Sequence, residues 1–597
     1  MDPLSLYNQT PATVPAQQGF LRNLDLSDSK ITARVVCLLL PFPFLIHYLV
    51  GLALFHWTHL RPKDKQVPPT LPHLVPLLGS ALPFAFDCVN FIRHATRYAG
   101  SLVPVRLSII AGDIFLFQGP KTVAAVWREQ QLGSPIFIYT FALQHVFGMP
   151  KRALAAYRAD DSGSHRRPHP ESNVEPHNRV DFLTHQILFK AFGGSGLNKA
   201  FDRCAGILRR NLEGLAIPED EWIEMPDLWA FFQSQLGTAV LEGLYGPTLS
   251  LLSPGFLQDL WAFDRATPKL AKLMPKFLIP EAYRVRGRLL DSIRRWHDHA
   301  RQHFDESSID ADGDADPYWG SQMVRSRQKI LLEVDGQDYD AIAAADLGLI
   351  WASVTNVVPS SMMTALHIFR SPPLTTRLRT TLLTDNPITI NPSSLTGINI
   401  NLDNILHHQP LLSSIYAETL RLHLQAYVTR ASPHRDVAIG RRWALPRGKV
   451  CMVNTYASHM DESFWNTRAG RHPVGEFWAD RFLIDPLDEG SGPVRGDVGR
   501  EVYTRPGEEE KEQKPFFSVQ GLEGAWIPYG GGYAACPGRQ FAKRIILYTT
   551  ALLVAAFDVE VLTERLVMDD RCFGLGTQKP RHAVKFRIRR RRAGDKL

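Results

Sequence analysis

One thiol stands apart in this chain. Cys536 lies in AWIPYGGGYAACPGRQFAKRIILYTTALL, where three consecutive glycines, Gly530, Gly531 and Gly532, precede it and an apolar helical run begins near Arg539. Glycines let a backbone approach a flat ligand closely and adopt φ > 0. A thiol at a helix N-terminus, next to an arginine, has its charged form favoured by the helix dipole and by the cation. A lone thiolate on such a loop suits axial ligation of a haem iron, onto which it pushes electron density and so favours O–O cleavage. The other cysteines, Cys37, Cys88, Cys204, Cys451 and Cys572, form no Cys-x-x-Cys pair and no even ladder. A disulfide framework or a Cys-rich zinc site is therefore not expected. His165, His169, His177 and His185 are irregularly spaced among arginines and prolines, which reads as a solvated loop rather than a zinc site.

The elements needed to position this thiol lie upstream. SIYAETLRLH places Glu418 and Arg421 three residues apart on one helix face, a pattern that means little alone. Val428-Thr429-Arg430 leads into an extended segment, and Phe477 to Phe482 carries Asp480 and Arg481. A long apolar helical pattern, LGLIWASVTNVVPSSMMTALHIF, contains Pro359. Most of the body has helical periodicity, as in Val180 to Leu215, Tyr283 to His303 and Pro410 to His423, with short strand-like runs near 103–110, 113–118, 450–454, 559–562 and 583–588. The expected fold class is mainly α with small β-sheets (α+β).

Together these motifs resemble the cytochrome P450 family. The thiol loop is similar to its haem signature Phe-x-x-Gly-x-Arg-x-Cys-x-Gly, with Tyr529 for the Phe, Gly532 and Gly538 matching, and Cys536 at the axial-ligand position. Ala534 replaces the Arg that contacts a haem propionate. Glu418 and Arg421 resemble the family's Glu-x-x-Arg, and Phe477–Phe482 its Pro-Glu-Arg-Phe element, with Asp for Glu. The resemblance implies a cytochrome P450 fold, a haem b (iron protoporphyrin IX) cofactor, a buried network of Glu418, Arg421 and Arg481, and Arg430 as a propionate partner. It also implies that the Pro359 helix crosses the distal face. There the family norm Ala/Gly-Gly-x-Asp/Glu-Thr-Thr reads Ser353-Val354-Thr355-Asn356-Val357, so an amide and hydroxyls stand where a carboxylate proton relay is usual, with Asn356 and Thr355 as the catalytic candidates. This pattern looks like a sub-branch containing bile-acid sterol hydroxylases, prostacyclin synthase and fungal secondary-metabolism enzymes. The implied activity is a monooxygenase acting on a lipophilic terpenoid, sterol or meroterpenoid with NADPH-cytochrome P450 reductase. The alternative is a reductase-independent isomerase or dehydratase, favoured by Asn356; a non-enzymatic haem-binding membrane protein is a third reading.

The chain has 597 residues, with 67 Lys+Arg, 60 Asp+Glu and a formal charge of +7. That surplus is too small for a dedicated polycation, so no nucleic-acid partner is expected. Val35 to Phe55 is long and apolar enough to cross a bilayer, with Pro41 and Pro43 tolerated there. The expected layout is a short lumenal leader at 1–34, a transmembrane anchor at 35–57, a proline-rich hinge at 58–79 and a haem-thiolate catalytic domain at 80–597. Within that domain, solvated loop insertions are expected at 151–178, 305–316 and 485–514. The expected location is the endoplasmic reticulum membrane, single-pass, with the catalytic domain cytosolic. Basic residues do not decide orientation, since they flank both ends. A lumenal leader would make Asn8 a glycosylation acceptor. Arg539 and Lys543 are candidates for meeting an acidic reductase surface.

Overall fold

The computed structural model describes residues 39–98, 102–110, 112–384, 388–389, 398–496 and 514–591. Asn8, the leader, Cys37 and residues 497–513 of the third insertion lie outside the described residues.

Helices dominate, as the periodicity predicts. Six of them matter for the site: α1 (Phe42–Leu60), α2 (Phe256–Ala271), α3 (Tyr339–Val354), α4 (Val357–Phe369), α5 (Pro410–His423) and α6 (Arg539–Ala556). One five-stranded sheet joins β1 (Val105–Ile109), β2 (Gly112–Leu116), β3 (Leu424–Ala431), β4 (Val450–Asn454) and β5 (Leu575–Thr577) in the order β1-β2-β4-β3-β5. Its β2–β4 pair is parallel and the others are antiparallel. The helical core gathers α4, α5 and α6, whose side chains are buried nearly all round. Such helices lack a polar face because every side meets another element.

Helices α3 and α4 are one apolar run broken at Thr355–Asn356. Pro359 has no N–H to offer the carbonyl four residues back, which is that of Thr355. The Thr355 hydroxyl turns back onto the Trp351 carbonyl at 2.8 Å. Among the described residues this run, Tyr339–Phe369, is the helix long and apolar enough to cross a membrane, yet it is mostly buried in the core.

Helix α1 has Pro41 and Pro43 at its entry, where a missing N–H costs no helical bond; residues 35–38 of the predicted span lie outside the described residues. Leu45, Ile46, Leu49, Val50, Leu54 and Trp57 are exposed along it, whereas Phe55 is 1% exposed and packs edge-on against Tyr98. The hinge is extended only in its middle, from Gln66 to His73: residues 58–60 end α1 and residues 76–79 turn, and it is no free spacer. Arg106 N–H donates to Pro69 O at 2.8 Å and Leu71 N–H to Arg106 O at 2.9 Å, laying the segment along β1 with Leu71 buried.

Two of the insertions are ordered rather than solvated throughout. The 151–178 stretch opens with a 3-10 turn and the helix Leu154–Ala159, whose Leu154 and Tyr157 are buried. Farther along, the Arg179 guanidinium collects it by donating to Ser162 Oγ, His165 O and Arg166 O. In the acidic 305–316 stretch, Asp314 and Asp316 are buried against Arg203 and Arg325. Ion pairing, invisible in composition, supplies the order.

Candidate functional site

The thiol loop is a tight turn closed on itself and on a helix that the sequence pattern did not single out. Cys536 N–H donates to Tyr529 O at 2.9 Å, and Ala535 N–H to Gly532 O at 3.2 Å. Gly530 and Gly532 take φ of +69° and +68°. A Cβ on Gly531 would lie 2.5 Å from the Trp127 ring, and one on Gly532 2.4 Å from the Trp127 carbonyl. These two glycines are thus required for close packing against Trp127 of helix Pro120–Arg128, besides any ligand approach. The Tyr529 hydroxyl meets that of Tyr416 on α5 at 2.9 Å. Gly538 is the N-cap of α6.

Cys536 has an accessible surface, yet enough protein surrounds its sulfur that desolvation pushes the thiol above its ordinary value. The Gly538 N–H and Arg539 act in the opposite direction and do not prevail. Burial thus outweighs the helix dipole and the cation, both of which favour the charged form. Metal coordination reverses that balance, because a coordinated thiol is deprotonated outright.

Glu418, Arg421 and Arg481 come together with side chains 0% exposed. Arg421 grips the Glu418 carboxylate in a fork, at 2.7 and 2.9 Å, and Arg481 Nε reaches Glu418 Oε1 at 3.0 Å. Arg421 also donates to the carbonyls of His459 and Val474, both at 2.7 Å, and Arg481 to that of Asn466. The Trp478 N–H adds a further bond to Glu418 Oε1 at 3.2 Å. Although desolvation favours its neutral form, the two guanidinium groups hold the Glu418 carboxyl below its usual range. One carboxylate and two guanidinium groups in this arrangement can stay buried because nearly every donor is spent on an acceptor. The network ties α5 to the segment leading to the thiol loop: His459, whose carbonyl it holds, accepts the Ile527 N–H on its ring at 3.1 Å.

Arg430, at the end of β3, is 8% exposed, and burial lowers its pKa. It donates to Thr429 O and Ala534 O, both at 2.9 Å, and among the described residues no carboxylate pairs with it. Its guanidinium lies over the Trp127 ring, whose Nε1 is buried without a partner. Both residues line a cavity of about 650 Å³ with Gly531, Gly532 and Ala534. An unpaired buried cation and an orphaned indole N–H beside a thiol loop fit the carboxylates of haem, its propionates. Trp127 is the residue that sequence reasoning missed. Its contact with the glycine loop was the only available signal, and that contact spans some four hundred positions. Asp181, on the same wall, has its carboxyl pushed up to about 6 by burial and by Asp160. His165 stacks on Tyr533 at 3.8 Å and His169 on His434 at 3.9 Å, so the histidine-rich insertion docks by ring contacts. Among the described residues no cluster of metal-ligating side chains forms.

On the other side, the break between α3 and α4 is held by its own hydroxyls and by β5. Ser353 Oγ donates to Leu349 O at 2.6 Å and meets the Tyr245 hydroxyl at 2.8 Å. Asn356 Oδ1 accepts the Thr577 N–H at 3.0 Å, and Asn356 O accepts the Ser360 hydroxyl at 2.7 Å. A Cβ on Gly576 would sit 2.0 Å from Asn356 Oδ1. The side-chain oxygen of Asn356 therefore staples β5 to the break, a use that the motif pattern did not anticipate. Thr355 and Asn356 do share a small cavity with Asp264, Trp351, Thr577 and Lys579. A carboxylate is thus present near the break, but it comes from α2.

No family model matches the chain. Among curated proteins, it is 32% identical to the cytochrome P450 monooxygenase fsoE of Humicola fuscoatra over 89% of both chains. It is 30% identical to the cytochrome P450 monooxygenase efuG of Hormonema carpetanum over 93% of this chain and 96% of that one. It is also 24% identical to the 7-alpha-hydroxycholest-4-en-3-one 12-alpha-hydroxylase of Oryctolagus cuniculus, over 89% of this chain and 94% of that one.

Proposed function

The chain belongs to the cytochrome P450 family and is a haem-thiolate monooxygenase, and on that premise we propose that it inserts one oxygen atom from O2 into a lipophilic terpenoid, sterol or meroterpenoid in secondary metabolism. The observation that carries this reading is the meeting of Cys536, on a glycine loop locked by Trp127, with the unpaired Arg430 at its edge.

Haem b, bound at Cys536, supplies the reductive activation of O2 that places one atom in a C–H bond and sends the other to water. The chain does the rest. Cys536 would hold the haem iron through its thiolate, and Tyr529 and the glycines fix its loop. Arg430 and Trp127 Nε1 would hold the propionates, doing the work of the arginine replaced by Ala534. Glu418, Arg421 and Arg481 keep the segment before the loop in register with α5. Thr355 and the stapled Asn356 close the distal wall and limit water there. Electrons come from NADPH through cytochrome P450 reductase, docking near Arg539 and Lys543 on α6.

The protein works at a membrane, by this reading that of the endoplasmic reticulum, anchored once through the 35–57 segment, with Asn8 lumenal and the body cytosolic. Supporting it, the apolar side chains of α1 are exposed, and so are Leu74, Leu77, Phe86, Phe277 and Leu278. The hydrogen bond from Lys272 to the Ala85 carbonyl joins these last segments into one apolar face.

The test is turnover of candidate terpenoids and sterols by purified protein in 18O2. Incorporation of one labelled atom, dependent on NADPH and reductase, is expected. Product formed without reductase, NADPH or label would overturn the proposal.

A further inference from the structure

Two charged side chains far apart in sequence meet beside the helix break. Asp264, on α2, pairs directly with Lys579, two residues past β5, and their side chains are only 7% and 14% exposed. Trp351, one turn before Thr355, donates its indole N–H to Asp264 Oδ1 at 2.9 Å. All three line the cavity shared with Thr355 and Asn356.

A buried ion pair is a poor source of stability, because desolvation of both charges offsets most of their attraction. This pair also has capacity to spare. An ammonium has three N–H groups and a carboxylate about four acceptor sites, yet among the described residues Lys579 has one partner and Asp264 two. The pair is neutral overall. An anion would be repelled by Asp264 and a cation by Lys579, whereas a hydroxyl can donate to one and accept from the other at once. The cavity measures about 10 Å³, roughly the space of one water-sized group, which suits a hydroxyl and excludes larger polar groups.

We propose that Asp264 and Lys579, with Trp351 orienting the carboxylate, form the recognition point for a hydroxyl group on a neutral, otherwise apolar substrate. The inference deepens the monooxygenase reading and rests on it for where the reaction occurs. A hydroxyl pinned between α2 and β5 fixes one end of a rigid skeleton, and so decides which carbon is presented to the site of oxidation.

The test uses full-length, haem-loaded protein and matched probe pairs: 5α-cholestan-3β-ol with 5α-cholestane, and lanosterol with its 3-deoxy analogue. Binding is read from substrate-induced shifts in the haem spectrum. In the wild type, at least one hydroxylated probe is expected to bind about ten- to a hundredfold tighter than its deoxygenated partner, as hydrogen bonds to charged groups allow. Lys579→Met and the neutral isostere pair Asp264→Asn with Lys579→Gln are expected to bring that ratio close to one, while the reduced-CO spectrum confirms a folded site. The proposal fails if no hydroxylated probe outbinds its partner in the wild type. It fails equally if the variants lower only the melting temperature and leave the ratio intact, which is how a purely structural latch behaves. Reductase-dependent oxidation of a deoxygenated probe bound as tightly as its alcohol would sink the recognition point and leave the monooxygenase reading standing.

Discussion

On the thiolate side, the groups that matter come from compact stretches. Tyr529 to Arg539 form the loop, Glu418 and Arg421 sit one turn apart on α5, and Arg481 closes their network with side chains 0% exposed. The distal wall is assembled differently. It joins Asp264 of α2, Trp351 to Asn356 at the helix break, and Gly576 to Lys579 at and beyond β5, through one ion pair and a few hydrogen bonds. The Glu418 network spends nearly every donor internally, and beside it Arg430 and Trp127 Nε1 are left for the propionates they would hold. The second wall retains unspent donors and acceptors at the Asp264–Lys579 pair, where by the inference above a substrate hydroxyl would use them. Behind the thiol loop a saturated network does the positioning; at the helix break an unsaturated pair is left to meet a ligand.

This contrast can be broken by substitution. The largest effect is expected at Cys536: Cys536→Ser should abolish monooxygenase turnover and the reduced-CO band diagnostic of thiolate ligation, without unfolding the chain by circular dichroism. Next comes Glu418→Gln, which leaves Arg421 and Arg481 buried with too little opposing charge; a loss of about 3–5 kcal/mol is expected, measured by denaturant unfolding. On the distal side, Asn356→Ala removes the acceptor of the Thr577 N–H. It should cost about 1–3 kcal/mol, while Asn356→Asp, which keeps an oxygen there, should cost less. If Asn356→Ala proved as damaging as Glu418→Gln, the division between the walls would not hold. The smallest effect concerns pH. Burial and Arg421 depress the pKa of His459 to about 3. The unfolded chain takes up that proton near pH 6.5 and the folded one not until about pH 3, so stability is lost as pH falls through that window. His459→Gln should flatten the melting temperature against pH below about 6.5, since an amide oxygen still accepts the Ile527 N–H without titrating.

The same contrast explains what could be read from the residues alone. Cys536, Tyr529, Gly532 and Gly538 form a local pattern, and local patterns survive in sequence. The helical class was legible from periodicity, and so was the pairing of Glu418 with Arg421 on one helix face. Trp127 was not, because its role depends on a helix some four hundred residues away closing on Gly531 and Gly532. Asp264 and Lys579 were not, because nothing in either neighbourhood marks them as partners. The stapling by Asn356 was not legible either, because the Thr577 N–H that its side-chain oxygen accepts at 3.0 Å lies more than two hundred residues away. Order in the 151–178 segment was hidden by composition, since Arg, His and Pro look solvated until Arg179 and Tyr533 collect them.

The docked N-terminal segment also bears on how the proposed anchor would be joined to the body. Phe55 belongs to the same buried cluster as Leu71, Ile92 and Leu107, and the chain from Gln66 to Leu71 is bonded to the body through Arg442, Pro69 and Arg106. The anchor is therefore a bracket rather than a tether. On the membrane reading proposed above, the body would have no free joint on which to swivel over a lipid surface. A cut placed before Leu39 leaves this bracket whole. A cut at residue 80 strips two core side chains and a bonded edge from β1, and leaves a frayed sheet.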